Sequence, residues 1–467
     1  MSLKKILSIL CAFTLLVSVM CACGGSEETV QNSSPSSSTE SENKIVGIDP
    51  VIPTGSKYNP ETWDPYATMP ESCKGTTIRV ASWSDPDDDG DAYTRANMYN
   101  DIGLKYELFS VPQAGYVNNI MTKIASGDIP DVFMTNEGDG AFPVTLQIAA
   151  PINKVSSVDL NDPRWDKTYL DGATIEGNTY FVQTIGSPVS NGNLVFFNKR
   201  LFRENGFTTP AEYYENGTWS WDNLLKCAKE IKSLGSEYRG INLEMDILAG
   251  SVNTSITKYD FNSKRFINNV GDPTLLKAYQ WYSDAKEQNL LDGSLASFRE
   301  GKCAIYIRGP FGLAINGYFL DMNPEDIGFT WLPSFEEGVK GRVSSIYGGR
   351  GIVTGAPNAE AAGYFLRYYM DYHNWDLENI FITIDAGKFY YEIVDTVAQD
   401  KYFNFDDPLC SLIGSSANKE FYSHLNGVSG AGIKTALDSI SNVVDQAVNA
   451  GNELIANKVA GDREKYK

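Results

Sequence analysis

The sequence predicts an α/β fold, in which strands alternate with helices around a central sheet. Thr76–Trp83 and Lys105–Val111 have the composition of strands, Tyr116–Ala125 is predicted to be helical, and Asp131–Thr135 is a short apolar run typical of a buried strand. Alternation of this kind produces a parallel or mixed sheet. Ligands bind such sheets beyond the carboxyl ends of the strands, which here are the turns after Trp83 and Thr135.

Later segments carry clear helix signals. Ser220 is a predicted N-cap, Asp222 places an acid in the first turn, and Gly235 is a predicted C-cap. A second helix is predicted to begin with Pro273 at its first position. Residues 431–459 repeat apolar side chains at helical spacing, which predicts one or two helices there.

Two tryptophans fall within the first two of these helices, and we interpret them as packing residues. Trp221 and Trp281 both occupy positions where an apolar side chain continues the helical pattern. Aromatic side chains belong to the core more often than to a ligand platform. We therefore leave both tryptophans out of the predicted site.

The amino-terminal residues have the order of an export signal. Lys4 and Lys5 precede the apolar run Ile6–Met20, which is shorter than the roughly 20 residues that a membrane-spanning helix needs. We therefore interpret residues 1–22 as a signal peptide that is removed.

Cys23 is the predicted site of lipid attachment. It follows the small residue Ala22 and precedes two glycines, an arrangement that resembles the lipobox of bacterial lipoproteins. An ordinary signal peptide with an incidental cysteine is the alternative. Residues 23–44 are then a lipid anchor and a flexible tether too polar to order itself, and residues 45–72 form an extended, proline-rich lead-in. The expected location is the cell membrane, outside the cytoplasm, with the lipid as the only membrane contact.

Charge and cysteine usage exclude several classes of protein. The formal net charge is −20 and no basic run is present, so the chain is not expected to bind nucleic acid. The seven cysteines form no C-x-x-C pair in the folded body, which argues against structural zinc, and no cofactor motif is complete. The acidic turn 85–91 resembles the start of an EF-hand loop, but Ala96 occupies the position that requires glutamate.

Catalysis is not expected. His373 and His424 are the only histidines, and neither accompanies a nucleophile motif. A pair of carboxylates suited to glycoside hydrolysis could be formed by many combinations of acidic residues, so a surface glycoside hydrolase remains the alternative to a binding protein.

Several blocks of the sequence are similar to the family 1 extracellular solute-binding proteins of ABC importers, the group that includes maltose-binding protein. The blocks, in chain order, are Leu194–Pro210 with Thr218–Leu224, Phe298–Phe311, and Ile327–Pro333 followed by Tyr347–Ile352 and Ala359–Met370. Their order is more specific than any single block.

The resemblance implies a type II periplasmic-binding-protein fold with two lobes, each a mixed sheet flanked by helices and joined by hinge crossovers. Lobe 1 is expected to comprise residues 73–186 and 304–345, and lobe 2 residues 187–303 and 346–467. The implied crossovers lie near Gly186–Asn193, Cys303–Ile307 and Ser344–Gly351.

The resemblance also implies a ligand site between the lobes. The implied site residues are Trp83, Asp85, Glu137, Asp139, Asp246, Phe311, Tyr347 and Arg350. Phe311 stands where many sugar-binding relatives have tryptophan, and Ser429-Gly430 replaces an aromatic residue, so the pattern departs from that of the oligosaccharide binders.

The expected function is capture of a solute, most simply a carbohydrate, by a monomeric lipoprotein that delivers it to the permease subunits of an ABC importer. A peptide or a polyamine remains an alternative ligand.

Overall fold

The computed structural model describes most of the chain beyond the amino-terminal region. The described residues are 59, 62, 64–83, 92–135, 139–183, 193–252, 254–260, 262–309, 322–333, 335, 343–345, 349–369, 403–405, 425 and 427–466. None of the helices in these ranges combines the length and the apolar character that crossing a membrane requires. The predicted signal peptide, Cys23 and the tether lie outside the described residues, as does the greater part of the lead-in.

The first sheet is mixed and has the strand order β13-β3-β1-β2. Its strands are β1 (Thr77–Ser82), β2 (Lys105–Ser110), β3 (Val132–Met134) and β13 (Arg350–Ile352). β1 pairs in parallel with β2 and with β3, whereas β13 runs antiparallel to β3 with Gly351 opposite Phe133. The three strands predicted from the sequence in this region are confirmed to within two residues at each end.

Helices cover this sheet, and we call the sheet and its helices lobe 1. The helices are α1 (Ala92–Ile102), α2 (Tyr116–Ala125), α3 (Phe142–Thr145), α4 (Lys167–Gly172) and α11 (359–369). A short hairpin of β4 (Thr174–Ile175) and β5 (Asn178–Thr179) follows α4. The predicted helix over Tyr116–Ala125 is confirmed, and it buries Tyr116, Val117 and Ile120.

The second sheet has the order β11-β6-β10-β7 and is also mixed. Its strands are β6 (Leu194–Asn198), β7 (Arg239–Asn242), β10 (Cys303–Arg308) and β11 (Ile327–Thr330). β6 is antiparallel to both β10 and β11, and β10 is parallel to β7. All five residues of β6 are buried, as expected for a strand covered on both faces.

This sheet and the elements packed around it form lobe 2. Its helices are α5 (Lys199–Asn205), α6 (Pro210–Glu215), α7 (Trp221–Lys232), α8 (Met245–Ser251), α9 (Pro273–Glu287) and α10 (Leu295–Arg299). A hairpin of β8 (Thr257–Asp260) and β9 (Arg265–Asn268) precedes α9. A further two-stranded sheet pairs β12 (Val343–Ser345) with β14 (Phe403–Phe405).

The predicted division of the chain between the lobes is wrong for three strands. Residues 304–345 were expected in lobe 1, and they include β11 and all of β10 except its first residue. Both strands pair instead with β6 of lobe 2. β13 was expected in lobe 2 but pairs with β3 of lobe 1. The limits of the lobes outside these strands remain predictions.

One predicted crossover is wrong for the same reason. Cys303–Ile307 lies inside β10, which is hydrogen-bonded to β6 on one side and to β7 on the other. A hinge there would have to break both ladders, because an interior strand has no free edge. Val182 still bonds to Arg350 of lobe 1 and Leu194 belongs to β6, so the chain changes sheets between these residues, and it changes sheets again between Thr330 of β11 and Arg350 of β13. The crossovers near Gly186–Asn193 and Ser344–Gly351 remain predictions, and the second of these ranges overlaps the start of β13.

Local capping explains where the two predicted lobe 2 helices begin. The Ser220 hydroxyl accepts a hydrogen bond from the backbone N–H of Asn223 and caps α7, and Asp272 caps α9 immediately before Pro273. Both predicted starts are confirmed. The predicted C-cap Gly235 is wrong, since α7 ends at Lys232 and Ser233 caps it in a right-handed conformation that does not require glycine.

The carboxyl-terminal region forms a single helix, α12 (Ile433–Lys465), of 33 residues. Near its middle, Asn452 exchanges two hydrogen bonds with the backbone of Phe266 in lobe 2. Farther along, the backbone carbonyl of Leu454 accepts a hydrogen bond from Gln147, and Asp462 accepts one from the Tyr180 hydroxyl, both in lobe 1. This helix therefore contacts both lobes.

Candidate functional site

The carboxyl ends of the parallel strands of lobe 1 bring two aromatic rings together. Trp83 follows β1 directly and is partly exposed, while Tyr116 begins α2 and is only 3% exposed. Their ring centroids are 4.9 Å apart and the ring planes are nearly perpendicular, at 89°. This edge-to-face contact holds the Trp83 ring against the end of the sheet.

The Tyr116 hydroxyl joins the ends of two strands. It donates a hydrogen bond to the Ala81 carbonyl of β1 at 2.8 Å and accepts one from the Met134 N–H of β3 at 3.3 Å. Burial raises the pKa of the Tyr116 phenol, and the nearby charge of Arg350 only partly offsets that increase. The phenol is therefore neutral near pH 7 and serves as a fixed support beneath Trp83.

Arg350 approaches the same edge from β13. Its guanidinium carbon lies 3.4 Å from the centroid of the Tyr369 ring on α11, which is a close cation–π contact. Its backbone exchanges hydrogen bonds with Val182, at 2.9 and 3.0 Å. The arginine is partly exposed, so a fixed positive charge lies at the carboxyl edge of lobe 1.

The path of β13 beside β3 depends on two close backbone approaches. The backbone of Thr135 donates to the Gly349 carbonyl at 2.8 Å, and the Thr135 hydroxyl bonds to Gly349 as well. A Cβ atom on Gly351 would lie 2.6 Å from the Phe133 ring, and one on Gly349 would collide with the Tyr169 hydroxyl. Only glycine permits this spacing, which places Arg350 between the two glycines.

Asp139 completes the group from the turn after β3. Asp139 is 3% exposed, and its backbone carbonyl accepts a hydrogen bond from the Phe142 N–H at 2.9 Å. After burial, which raises the pKa of Tyr116, the Asp139 carboxylate raises it further and the Arg350 guanidinium lowers it. Trp83 contacts Tyr116 directly, while Asp139 and Arg350 act on the same phenol through their charges, and we call these four residues the lobe 1 cluster.

The remaining predicted site residues are not placed in this cluster. Asp85, Glu137, Phe311 and Tyr347 lie outside the described residues, as does the predicted lipid attachment site Cys23. Asp246 lies in α8, just after the end of β7.

Lobe 2 contributes a charge pair that the sequence reasoning missed. Arg308, the last residue of β10, places its Nη1 atom 3.4 Å from Glu244 Oε1, two residues beyond β7. β7 and β10 are parallel, so both residues lie at the carboxyl edge of the second sheet. The signal available in the sequence was the apolar run Cys303–Ile307, which Arg308 follows directly. Tyr116 and Tyr369 were missed because each lies on a helix, where the sequence pattern of an aromatic residue that supports a ligand site does not differ from that of a core residue.

Among the described residues, no three His, Cys, Asp or Glu side chains are grouped in a way that could hold a metal ion.

Solved structures with the same two-lobed architecture align with most of the chain. The sugar-binding protein MalE from Xanthomonas citri is 14% identical to this chain and has a TM-score of 0.56. The alignment covers 82% of this chain and 98% of the MalE chain. A binding protein from B. animalis subsp. lactis, solved in complex with β-1,6-galactobiose, is 16% identical to this chain and has a TM-score of 0.58. That alignment covers 80% of this chain and 98% of the relative. At these identities the likeness shows the fold, a two-lobed type II periplasmic binding protein.

A curated binding protein of Brucella abortus is 24% identical over 225 residues, which are 47% of this chain and 51% of the relative. The chain thus spans about half the length of the curated relatives it matches. Residues 91–371 match the family profile described as "Bacterial extracellular solute-binding protein". The chain therefore belongs to the bacterial extracellular solute-binding proteins, family 1, which serve ABC transporters.

Proposed function

We propose that this protein captures a carbohydrate, most simply an oligosaccharide, between its two lobes and delivers it to the permease of an ABC importer, with no catalytic step. The lobe 1 cluster carries the proposal. A partly exposed indole at Trp83 lies at the edge of the sheet where ligands bind, and the guanidinium of Arg350 and the carboxylate of Asp139 come from β13 and from the turn after β3 at that same edge.

This combination suits the surface of a sugar. An aromatic ring packs against the C–H face of a pyranose, while charged and amide groups exchange hydrogen bonds with its hydroxyls. The guanidinium of Arg350 donates and the carboxylate of Asp139 accepts, so the cluster offers both kinds of partner. One solved relative is described as a sugar-binding protein and the other was solved with β-1,6-galactobiose, which supports the same ligand class for this chain.

The two-lobed architecture supports binding by closure. A ligand that contacts both lobes only in the closed arrangement shifts the population toward that arrangement by its differential binding energy. Lobe 2 would contribute Glu244 and Arg308 from the carboxyl edge of its sheet. We propose that the permease recognises the closed form, and that a lipid on Cys23 and the tether 23–44 keep a monomer near it.

Thermal unfolding with a panel of mono- and oligosaccharides tests the ligand class. A ligand at 100 times its dissociation constant stabilises the folded state by about 2.7 kcal/mol, and the melting temperature rises accordingly. Trp83→Ala should abolish that increase while leaving the ligand-free melting temperature nearly unchanged. A large loss of ligand-free stability would instead assign Trp83 to the core, where aromatic truncation costs about 3–5 kcal/mol.

The matched control is Tyr99→Ala. Tyr99 is also an aromatic residue of lobe 1, and it is 54% exposed. It lies on α1, which leads into the amino end of β2, at the opposite edge of the sheet from Trp83. This variant should keep the full ligand response.

The same panel separates the alternatives. A melting shift caused by a peptide or a polyamine, with none from any sugar, would refute the carbohydrate assignment. Release of a shorter sugar from an oligosaccharide would show a glycoside hydrolase, since a binding protein forms no product.

A further inference from the structure

Lobe 2 has a recess on its helical surface, away from the strand ends described above. The recess has a volume of about 250 Å³ and lies between the start of α7 and the middle of α9. Its walls include three aromatic rings, those of Trp221, Trp281 and Phe335. None of its lining residues belongs to lobe 1 or to the lobe 1 cluster.

The aromatic rings pack against each other at the back of the recess. The Trp221 and Trp281 centroids are 4.9 Å apart at 67°, and Phe335 lies 6.2 Å from Trp221. Trp221 is 1% exposed, which confirms the sequence interpretation of that residue as a packing residue. Trp281 is partly exposed and so presents part of its ring to the recess.

Both indoles of this recess have a buried N–H group with no hydrogen-bond acceptor among the described residues. Other buried indoles in the described part of the chain do have one: Trp165 Nε1 donates to the Asp159 carbonyl at 3.1 Å, and Trp219 Nε1 donates to the Trp331 carbonyl at 2.7 Å. Buried donors are nearly always paired in native proteins, so the two unpaired indoles distinguish this recess from the packing around Trp165 and Trp219.

The rim of the recess carries donors and acceptors of both charges. The Lys277 ammonium lies over the Phe335 ring, 4.5 Å from its centroid, and Gln280 and Asp284 follow it on α9. Asp222 adds a second carboxylate from the first turn of α7. The two carboxylates outnumber the ammonium, which disfavours an anionic ligand, and Lys277 itself occupies a face of the Phe335 ring that a cationic ligand would use.

We propose that this recess is a second ligand site, which binds one ring of a neutral carbohydrate. Hydroxyl groups both donate and accept, so they can pair with the Gln280 amide, the Lys277 ammonium and the two carboxylates of the rim together. The C–H face of the ring packs on the exposed part of Trp281. The volume falls below the roughly 300–1,000 Å³ of drug-sized pockets, which limits the occupant to about one ring. The site needs no occupant between the lobes and is independent of the function proposed above.

Fluorine NMR of protein labelled with 5-fluorotryptophan tests the site directly. Eight tryptophans give eight resonances, and those of Trp221 and Trp281 are assigned from the Trp221→Phe and Trp281→Phe variants. The probes are methyl α-D-glucopyranoside and methyl β-D-galactopyranoside. Their roughly 13 non-hydrogen atoms support a dissociation constant on the order of 1 mM.

With at least one probe, the Trp221 and Trp281 resonances should shift and saturate, while those of Trp165 and Trp219 stay in place. Gln280→Ala should weaken the binding about fivefold, the effect of one lost hydrogen bond, and Gln288→Ala, at the C-cap of the same helix, should not. Unmoved Trp221 and Trp281 resonances, or shifts that grow without saturation, would overturn the proposal.

The Trp83→Ala variant separates this site from the site between the lobes. Saturable shifts at Trp281 that persist in Trp83→Ala place the probe in the recess, whereas shifts that disappear in that variant would place the probe at the lobe 1 cluster and refute the second site. Circular dichroism and the melting temperature of each variant show that it is folded, so a lost shift can be read as lost binding.

Discussion

Replacing Lys458 by methionine tests how the end of α12 is held on lobe 1. The Lys458 ammonium lies 2.7 Å from Asp462 Oδ1, one helical turn farther on, and the two side chains are 3% and 6% exposed. The other carboxylate oxygen accepts a hydrogen bond from the Tyr180 hydroxyl at 3.0 Å. Burial lowers the pKa of Lys458, and the Asp462 carboxylate opposes that decrease.

The magnitude follows from what the substitution leaves behind. Without the ammonium, the Asp462 carboxylate stays buried with the Tyr180 hydroxyl as its remaining donor among the described residues. Removing one partner of a buried ion pair destabilises a protein by about 3–5 kcal/mol, whereas replacing both partners by apolar residues is often nearly neutral. We therefore expect Lys458→Met to be at least about 2 kcal/mol less stable than Lys458→Met/Asp462→Leu.

The assay is urea unfolding followed by circular dichroism, comparing the transition midpoints of the variants. Lys434→Met on the same helix is the matched control, because Lys434 and Asp438 form an exposed pair with the same spacing, 67% and 64% exposed. That pair should contribute no more than about 0.5 kcal/mol. If Lys458→Met and the double variant unfold at the same midpoint, the carboxylate is not held in a buried setting and the reasoning is refuted.

Three further substitutions test how lobe 1 is built. Asp131→Asn replaces a buried carboxylate that accepts hydrogen bonds from the backbone N–H groups of Arg79, at 3.0 Å, and Asn358, at 2.9 Å. The free energy of unfolding should fall by about 1–3 kcal/mol in chemical denaturation, and an unchanged value would show that these hydrogen bonds do not stabilise the lobe. Gly351→Ala forces a methyl group against the Phe133 ring and should cost about 1–3 kcal/mol in the same assay, whereas Gly271→Ala, with open space around it, should be close to neutral. Burial raises the pKa of Tyr116, so this phenol ionises in the unfolded chain before it ionises in the folded protein, and the free energy of unfolding falls as the pH rises above about 10. Between about pH 9 and pH 11, Tyr116→Phe should therefore lose less stability than the parent protein. Equal losses would contradict the burial argument.

Elements defined by neighbouring residues were predictable from the sequence. β1 is a run of β-forming residues that ends where polar residues begin, and α9 begins where Asp272 and Pro273 supply a cap and a fixed backbone angle. The lobe 1 cluster was partly predictable for the same reason, since Trp83 comes directly after β1.

Elements defined by distant partners were not predictable. β10 belongs to lobe 2 because Ile305 lies opposite Phe197, more than one hundred residues earlier in the chain. The apolar pattern of β10 fits a buried strand in either lobe, so composition cannot choose between them. The pairing of the short strand β13 with β3 depends on a glycine, because only a residue without a side chain at position 351 leaves room for the Phe133 ring opposite it. Contacts between a helix and a strand end, such as Tyr116 with Ala81, depend on the same long-range packing.

The position of α12 restricts how the lobes can move during the proposed closure. Its first half packs on lobe 2, where Asn268 donates hydrogen bonds to Ser441 and Asp445, and its last turns are tied to lobe 1 through the buried Asp462. A large separation of the lobes at this helix would expose that carboxylate's partners and break the Asn452 contacts with Phe266. Rotation about an axis close to α12 preserves both sets of contacts while the opposite side of the cleft opens. For the proposed closure, we therefore expect the hinge on the side of the molecule where α12 contacts both lobes.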